Sequence, residues 1–321
     1  EKKYRVFIIS NTADKKVQRY LTPLRKSQSC IYGGAVVYSD KVTKTICNVV
    51  KNKIDFLFVD TEKKASFKGS GAINIERTVR ENFDLQKIFY FKANDLTVEE
   101  SSNFLELIFQ KDIRNVSNKK VLIIGAGNIG FKLSLKLIER GEKVFLYGKK
   151  KEKLNKIIST INFIKPKATL NSVKAIYNIK NKLSNFDVIV NASNSSKNIF
   201  YKHNINLKKN VIFLEIGRNL FSKNTFKNLI NNGIKIFRLD VSNSFNELIE
   251  KKINTKDQLG KINFTRLKKK NFSIISKGLL GKKNDIIVDN PLNIKFIYGK
   301  IDQNGKIQKI SYSEKKIILN S

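Results

Sequence analysis

The chain has 321 residues, of which 41% are hydrophobic and 10% aromatic. This length suits two domains, and the composition excludes wholesale disorder. The 63 basic against 27 acidic residues give a net charge of +36, which raises nucleic acid or an anionic membrane as a partner. The basic residues are mostly lysines spread along the whole chain, so we expect a small-molecule substrate, no membrane, and nucleic acid only as an unlikely partner.

Targeting and metal-binding signals are weak in this sequence. It contains no uncharged apolar run of about eighteen residues, so no membrane span is expected. The first ten residues, EKKYRVFIIS, have the pattern of a strand and not that of a signal peptide. Cys30 and Cys47 lack metal-binding spacing, and His203, the sole histidine, is expected in a solvated loop. The sequence therefore predicts a cytoplasmic protein with reduced thiols and no metal site.

Residues 1–115 have the pattern of an α/β domain, which we expect to bind the substrate. Helix-compatible sequence follows the first apolar run, and Lys63–Ala72 contains two glycines typical of a loop. Thr97 with Glu100 forms a capping box, which predicts a helix over Thr97–Phe109. The predicted strands are Tyr4–Ser10, Phe56–Asp60 and Ile88–Phe91.

Residues 116–255 alternate near-continuous apolar runs with helical patterns. Such an alternation predicts a parallel sheet covered by helices on both faces. Late helices are predicted over Asn219–Asn231 and Asn243–Lys252. The predicted strands are Val121–Ile124, Lys143–Tyr147, Asp187–Asn191, Asn210–Glu215 and Lys235–Asp240.

Residues 256–321 are predicted to form a β-rich C-terminal extension. Apolar runs at Ile294–Tyr298 and Lys306–Tyr312 flank Asp302–Gly305, and the Asn-Gly pair in that turn favours a hairpin. The predicted fold is therefore α/β with two domains: an N-terminal α/β domain and a Rossmann-type doubly wound parallel sheet, followed by this extension. Its edge strands make a homodimer possible.

The segment VLIIGAGNIGFKLSLKLIERG carries the pattern G-x-G-x-x-G between a predicted strand and a predicted helix. In this setting the glycines give a tight turn, a close backbone approach to a pyrophosphate and close helix–strand packing. The helix over Asn128–Arg140 points its N-terminus at the phosphates, and Gly141 ends it. A tight turn that binds no ligand is the alternative. The cofactor-binding residues predicted in this loop are Gly125, Ala126, Gly127, Asn128, Ile129 and Gly130.

The turn after the second strand of this unit predicts which dinucleotide is bound. An NAD enzyme usually places an acid there for the ribose 2′-hydroxyl. This chain has Gly148, Lys149 and Lys150 there, with no acid before Glu152. Lysines suit a 2′-phosphate, so these three residues are predicted to bind the cofactor, with NADP favoured and NAD possible. The alternative is that they are ordinary lysines of a lysine-rich chain.

The succession of an α/β domain, GAGNIG, the basic turn YGKKKEKL and the strand DVIVNASNS resembles shikimate-dehydrogenase-like and glutamyl-tRNA-reductase-like proteins of the Rossmann-fold NAD(P)-dependent dehydrogenase superfamily. The resemblance covers about Ser117–Ser195. It implies NADP(H) on the glycine loop, with the nicotinamide near Asn191, Ala192 and Ser193. Residues 1–115 lack the substrate-domain motifs of the shikimate enzymes, so the resemblance implies no substrate.

Three residues at predicted strand ends are candidates for catalysis, because ligands of open α/β sheets gather at the carboxyl ends of the strands. Asp60 could form a proton-transfer pair with a nearby loop lysine. Arg218 could bind a substrate carboxylate with its guanidinium fork, or form a salt bridge. Asp240 could act as an acid or base, or cap the next helix.

These features predict an NAD(P)-dependent oxidoreductase that transfers a hydride between nicotinamide, with NADPH favoured, and a small polar substrate that we expect to be acidic. One alternative is a non-catalytic Rossmann module that binds the nucleotide as a redox sensor, since the chain offers few catalytic histidines or cysteines. A second alternative is a basic nucleic-acid-binding protein.

Overall fold

The computed structural model describes residues 3–11, 19–62, 66–67, 71–72, 74–110, 118–179, 183–194, 199–200, 206–217, 220–261, 266–269 and 271–319. The contacts between residues divide the chain into two compact units, Glu1–Glu247 and Leu248–Ser321. In the described part of the chain, no helix is both long and apolar enough to cross a membrane.

The first unit begins with a mixed sheet flanked by helices. Its elements are β1 (Tyr4–Asn11), β2 (Arg19–Leu21), β3 (Arg25–Lys26), β4 (Cys30–Val37), α1 (Asp40–Val50), β5 (Phe56–Asp60), β6 (Ser66–Phe67), β7 (Gly71–Ala72), α2 (Ile75–Asn82), β8 (Ile88–Phe91) and α3 (Ala93–Ile108). The strand order is β2-β4-β1-β5-β8, with β3 also beside β4, and β6 and β7 form a separate pair. Strands β4, β1, β5 and β8 are parallel, so their carboxyl ends lie at one edge.

The segment after β1 differs from the sequence-based expectation. Where helix-compatible sequence was expected, the described residues form β2, β3 and β4, and the first two pair antiparallel with β4. The run CIYGGAVV of β4 is almost wholly buried. A side chain at Gly34 would overlap the carbonyl oxygen of Ile8, so glycine allows β4 to lie close against β1. The predicted loop over Lys63–Ala72 contains the short strands β6 and β7, and its other residues lie outside the described ones.

Helix α3 begins four residues before the predicted capping box, so the predicted start was wrong. Thr97 lies inside the helix, where its hydroxyl donates to the carbonyl oxygen of Ala93. A hydrogen bond to strand β5 fixes the first residue of this helix: Oδ1 of Asp60, at the end of β5, accepts the N–H of Ala93 at 3.2 Å. A contact between residues so far apart in the chain leaves no local sequence signal.

The second half of this unit is a parallel sheet of six strands. Its elements are β9 (Lys120–Ile124), α4 (Asn128–Glu139), β10 (Lys143–Tyr147), α5 (Lys151–Ile164), β11 (Lys174–Ile176), β12 (Val188–Asn191), β13 (Ile212–Glu215), α6 (Lys223–Asn231), β14 (Lys235–Arg238) and α7 (Ser242–Lys261), which runs on into the second unit. The strand order is β11-β10-β9-β12-β13-β14. Numbered within the domain this is 3-2-1-4-5-6, the Rossmann order, in which ligands bind where the order reverses, here between β9 and β12. The predicted fold class is confirmed.

Two late helices differ in their bounds from the prediction. Helix α6 starts at Lys223, and not near Asn219, because the side chain of Ser222 accepts the N–H of Thr225 and caps it. Helix α7 continues to Lys261, beyond the predicted end at Lys252.

Helices α3 and α4 run side by side in the same direction. Lys132 pairs with Asp95, and one turn further on Lys136 pairs with Glu99. Two core residues of α3, Val98 and Leu105, belong to the same buried cluster as the strands of the Rossmann sheet. The N-termini of both helices therefore lie at the same end of this part of the molecule.

The second unit contains a five-stranded sheet in the order β15-β16-β17-β18-β19. Its elements are β15 (Leu267–Lys269), β16 (Phe272–Ser276), β17 (Ile286–Val288), β18 (Ile297–Ile301), β19 (Ile307–Gln308) and α8 (Tyr312–Leu319). The predicted hairpin is present: β18 and β19 are antiparallel, and Gly305 in the turn has φ of 75°. The predicted second strand, Lys306–Tyr312, was too long: β19 ends at Gln308, and Tyr312 begins a helix.

Candidate functional site

A cavity of about 640 Å³ opens at the point where the Rossmann strand order reverses. It lies where β9, β10 and β12 end, and the glycine loop forms part of its wall. Ten of the twelve residues predicted to bind the cofactor line it: Gly125, Ala126, Gly127, Asn128, Ile129, Gly148, Lys149, Lys150, Ala192 and Ser193.

A side chain at each glycine of the loop would meet a different environment. Gly125 has φ of 124°, and a Cβ there would lie 2.7 Å from the carbonyl oxygen of Ala192. Gly130 is buried, and a Cβ there would overlap the carbonyl oxygen of Gly125. At Gly127 a Cβ would meet no atom within 4 Å, so this position faces open space. These are the three roles expected of the glycines when a pyrophosphate lies against the loop.

The start of α4 is suited to an anion. Gly127 is its N-cap residue and supplies no side-chain hydrogen bond. The N–H groups of a first helical turn have no acceptor within the helix, and here that turn contains Asn128 and Ile129, which line the cavity. The residues present therefore fit a dinucleotide diphosphate, whose charge the helix dipole also favours.

Lysines form one wall of the cavity. Lys149, Lys150 and Lys153 all line it, near the start of α5, which also lacks a side-chain cap. The nearest acid in sequence, Glu152, accepts a hydrogen bond from Lys156 at 2.7 Å along the helix. This wall therefore presents positive charge where an NAD enzyme would present a carboxylate.

Asn191 lies just beneath the cavity and orients a residue that lines it. Its side chain is fully buried, and its Oδ1 accepts both the N–H and the hydroxyl of Ser193, at 3.1 and 2.7 Å. Because the Ser193 hydroxyl donates to Asn191, its oxygen remains able to accept a hydrogen bond from a ligand.

Sequence reasoning missed six residues that line the cavity: Asn94, Ile124, Tyr147, Lys153, Asn194 and Ile199. Lys153 could have been found, because it lies one helical turn after Lys149 and Lys150. Asn94 could not, because it comes from the first turn of α3, beyond the Rossmann sheet. Its amide donates to Oε2 of Glu62 at 2.9 Å, so the side chain has a fixed orientation.

The catalytic candidates do not assemble at the cavity as a group. Asp60 is buried at the end of β5, and its Oδ1 accepts the N–H groups of Glu62 and Ala93. Asp240 is exposed and accepts two hydrogen bonds from Ser242, which lower the pKa of its carboxyl. Neither is among the described residues that line the cavity. Arg218 and His203 lie outside the described residues.

Glu215 and Arg238, at the ends of β13 and β14, form an ion pair of 3.0 Å. Both cysteines are buried thiols, Cys30 in β4 and Cys47 in α1. Among the described residues, no group of three or more His, Cys, Asp or Glu side chains could hold a metal ion.

The strand order, the glycine loop and the cavity define a Rossmann-fold nucleotide-binding domain. More particularly, residues 107–235 match the family model for shikimate / quinate 5-dehydrogenase. A glutamyl-tRNA reductase from Thermosipho melanesiensis is 27% identical over 202 residues, which are 60% of this chain and 49% of that protein. The chain thus spans about half the length of this curated relative. The resemblance to shikimate-dehydrogenase-like and glutamyl-tRNA-reductase-like nucleotide domains is confirmed.

Two solved structures give the degree of structural likeness. L-tryptophan dehydrogenase from Nostoc punctiforme has a TM-score of 0.41 and 15% identity, covering 70% of this chain and 65% of that one. Shikimate dehydrogenase from Aquifex aeolicus has a TM-score of 0.39 and 15% identity, covering 73% of this chain and 86% of that one. Likeness of this degree does not bear on substrate or mechanism.

Proposed function

We propose that this protein is an oxidoreductase that uses NADP(H) to transfer a hydride to or from a small polar substrate. The observation that carries the proposal is the cavity at the reversal of the strand order, with an open position at Gly127 and a lysine wall. A bound nicotinamide would supply the hydride. The chain itself would bind, orient and electrostatically complement the two reactants.

Different residues of the cavity would bind different parts of the cofactor. The loop Gly125–Gly130 and the start of α4 would hold the diphosphate. Lys149, Lys150 and Lys153 would hold a 2′-phosphate, which distinguishes NADP from NAD. Ser193, oriented by Asn191, would accept a hydrogen bond from the nicotinamide end of the cofactor.

The substrate would enter from the side of the cavity that Asn94 lines, since that residue comes from the half of the unit expected to bind substrate. An acidic substrate is favoured by the positive charge of the chain, which steers anions into clefts. Arg218 remains our candidate for binding its carboxylate. Asp60 and Asp240 remain candidates for proton transfer.

A turnover screen tests this proposal. The purified protein is mixed with NADPH and a panel of small keto acids, imino acids and aldehydes, and with NADP and the matching hydroxy and amino acids, while NADPH absorbance is followed. We expect one class of substrate to change the absorbance, and the Asn94→Ala variant to slow that change more than it weakens NADPH binding. Saturable NADPH binding without turnover of any compound would favour the non-catalytic nucleotide-binding module instead.

A further inference from the structure

The second unit carries an exposed aromatic pair beside lysines. Phe296 and Tyr298 have ring centroids 4.8 Å apart and expose 56% and 37% of their surface. The ammonium of Lys277 lies 4.8 Å from the centroid of the Tyr298 ring. Two exposed rings in contact with each other and with a cation form a surface on which a planar ligand can stack.

The loop between β16 and β17 packs on one face of the sheet. Leu279 in this loop packs on Ile275, Ile287 and Ile301, which point to one face. The loop also contains Lys282 and Lys283, both exposed. Helix α8 lies on the opposite face, where its Ile318 joins a cluster made by the alternate strand residues.

We propose that this aromatic–lysine patch, formed by Lys277, Lys282, Lys283, Phe296 and Tyr298, binds single-stranded nucleic acid. Bases stack on exposed aromatic rings, and lysines neutralise the phosphates between them. The charge of the unit is complementary to such a partner, since Leu248–Ser321 contains 17 lysines and arginines against six acids. The nearby carboxylate of Asp289 accepts the backbone N–H groups of Lys295 and Phe296, so this oxygen faces the backbone.

Lysines are spread along the whole chain, which is why composition alone made nucleic acid an unlikely partner. The fold brings the aromatic pair to one lysine-containing loop: residues 277–283 and 296–298 are separated by strand β17 in the chain, but Lys277 and Tyr298 are in contact. The patch lies in the second unit, whereas the cofactor cavity lies in the first, so the two sites are tested independently.

The test is a fluorescence anisotropy titration of the full chain with labelled oligo(dT), oligo(U) and a DNA duplex at physiological salt. We expect binding of the single strands in preference to the duplex, and an approximately tenfold weaker affinity for the Phe296→Ala variant with an unchanged salt dependence. The double variant Lys282→Ala/Lys283→Ala should reduce the slope of log affinity against log salt by about 1.4. The matched control is Lys315→Ala/Lys316→Ala, which removes two lysines from α8 on the opposite face.

Three results would overturn the proposal. One is equal affinity for single strands and duplex with no effect of Phe296→Ala, which would indicate attraction by net charge alone. Another is equal losses for the two lysine double variants. The third is an absence of binding to any oligonucleotide. Binding to vesicles containing phosphatidylserine would then assign the patch to a membrane surface. All substituted side chains except Lys315, which is half-buried, are exposed, and circular dichroism checks that each variant is folded.

Discussion

A buried glutamate makes the stability of this protein depend on pH in an unusual direction. Glu142 lies between Gly141 and strand β10, with no exposed surface, and in the described structure neither of its carboxylate oxygens has a hydrogen-bond partner. Burial raises the pKa of this carboxyl from an ordinary 4.5 to about 7, against the opposing charge of Arg140. Burying a charged carboxylate without hydrogen-bond partners costs free energy of folding.

The sign of the effect follows from proton binding. Between pH 4.5 and 7 the folded protein holds a proton on Glu142 that the unfolded chain has lost, so the free energy of unfolding falls as pH rises through this range. The loss levels off above pH 7. A shift from 4.5 to about 7 corresponds to a total of about 3 kcal/mol.

The variant Glu142→Gln isolates this contribution, because an amide of similar shape does not titrate. We expect its free energy of unfolding to exceed that of the wild type by an amount that grows by about 2.5 kcal/mol between pH 5 and pH 8. Urea unfolding followed by circular dichroism at several pH values measures the difference. Parallel pH profiles for the two proteins would refute the reasoning and show that the carboxylate is solvated or paired.

Two further predictions concern the cofactor loop and the start of α3. Gly127→Ala should leave the melting temperature unchanged and weaken NADPH binding, because the new methyl group occupies the open space of the cavity. Gly130→Ala should lower the melting temperature, because its methyl group overlaps the carbonyl oxygen of Gly125. Equal effects of the two variants on the melting temperature would contradict this difference. Asp60→Ala should destabilise the protein by about 1–2 kcal/mol through loss of the acceptor for Ala93, whereas Asp60→Asn should keep most of the stability. If turnover survives in Asp60→Asn, the carboxyl has no role in proton transfer.

The sequence predicted the Rossmann sheet well because its signals are local. Each parallel strand is a short apolar run, and the glycines of Gly125–Gly130 follow one of these runs directly. The order of the strands and the cavity then follow from the rules of the fold. The hairpin at Gly305 was likewise predictable, because left-handed backbone in a tight turn favours glycine.

The remaining features depend on contacts between distant residues. The side chain of Asp60 fixes the start of α3, and that of Glu62 orients Asn94 in the cavity wall. The sequence around α3 therefore carries no signal for its start or for the position of Asn94. Strand β4 was missed because its pairing with β1, and the close approach at Gly34, appear only once the sheet has formed. The aromatic–lysine patch is also a product of folding.

The measurement that tests the central claim most directly is a fluorescence titration of the wild-type protein with NADPH and with NADH. The matched variants are Lys149→Ala/Lys150→Ala, in the cavity wall, and Lys143→Ala/Lys235→Ala. The second pair lies at the amino ends of strands β10 and β14, away from the carboxyl ends that form the cavity. The account predicts saturable binding of NADPH that is weakened more than tenfold by the first pair and little by the second, with NADH affinity unchanged by either. Failure of both nucleotides to bind the wild type would contradict it, and the glycine loop would then serve packing alone.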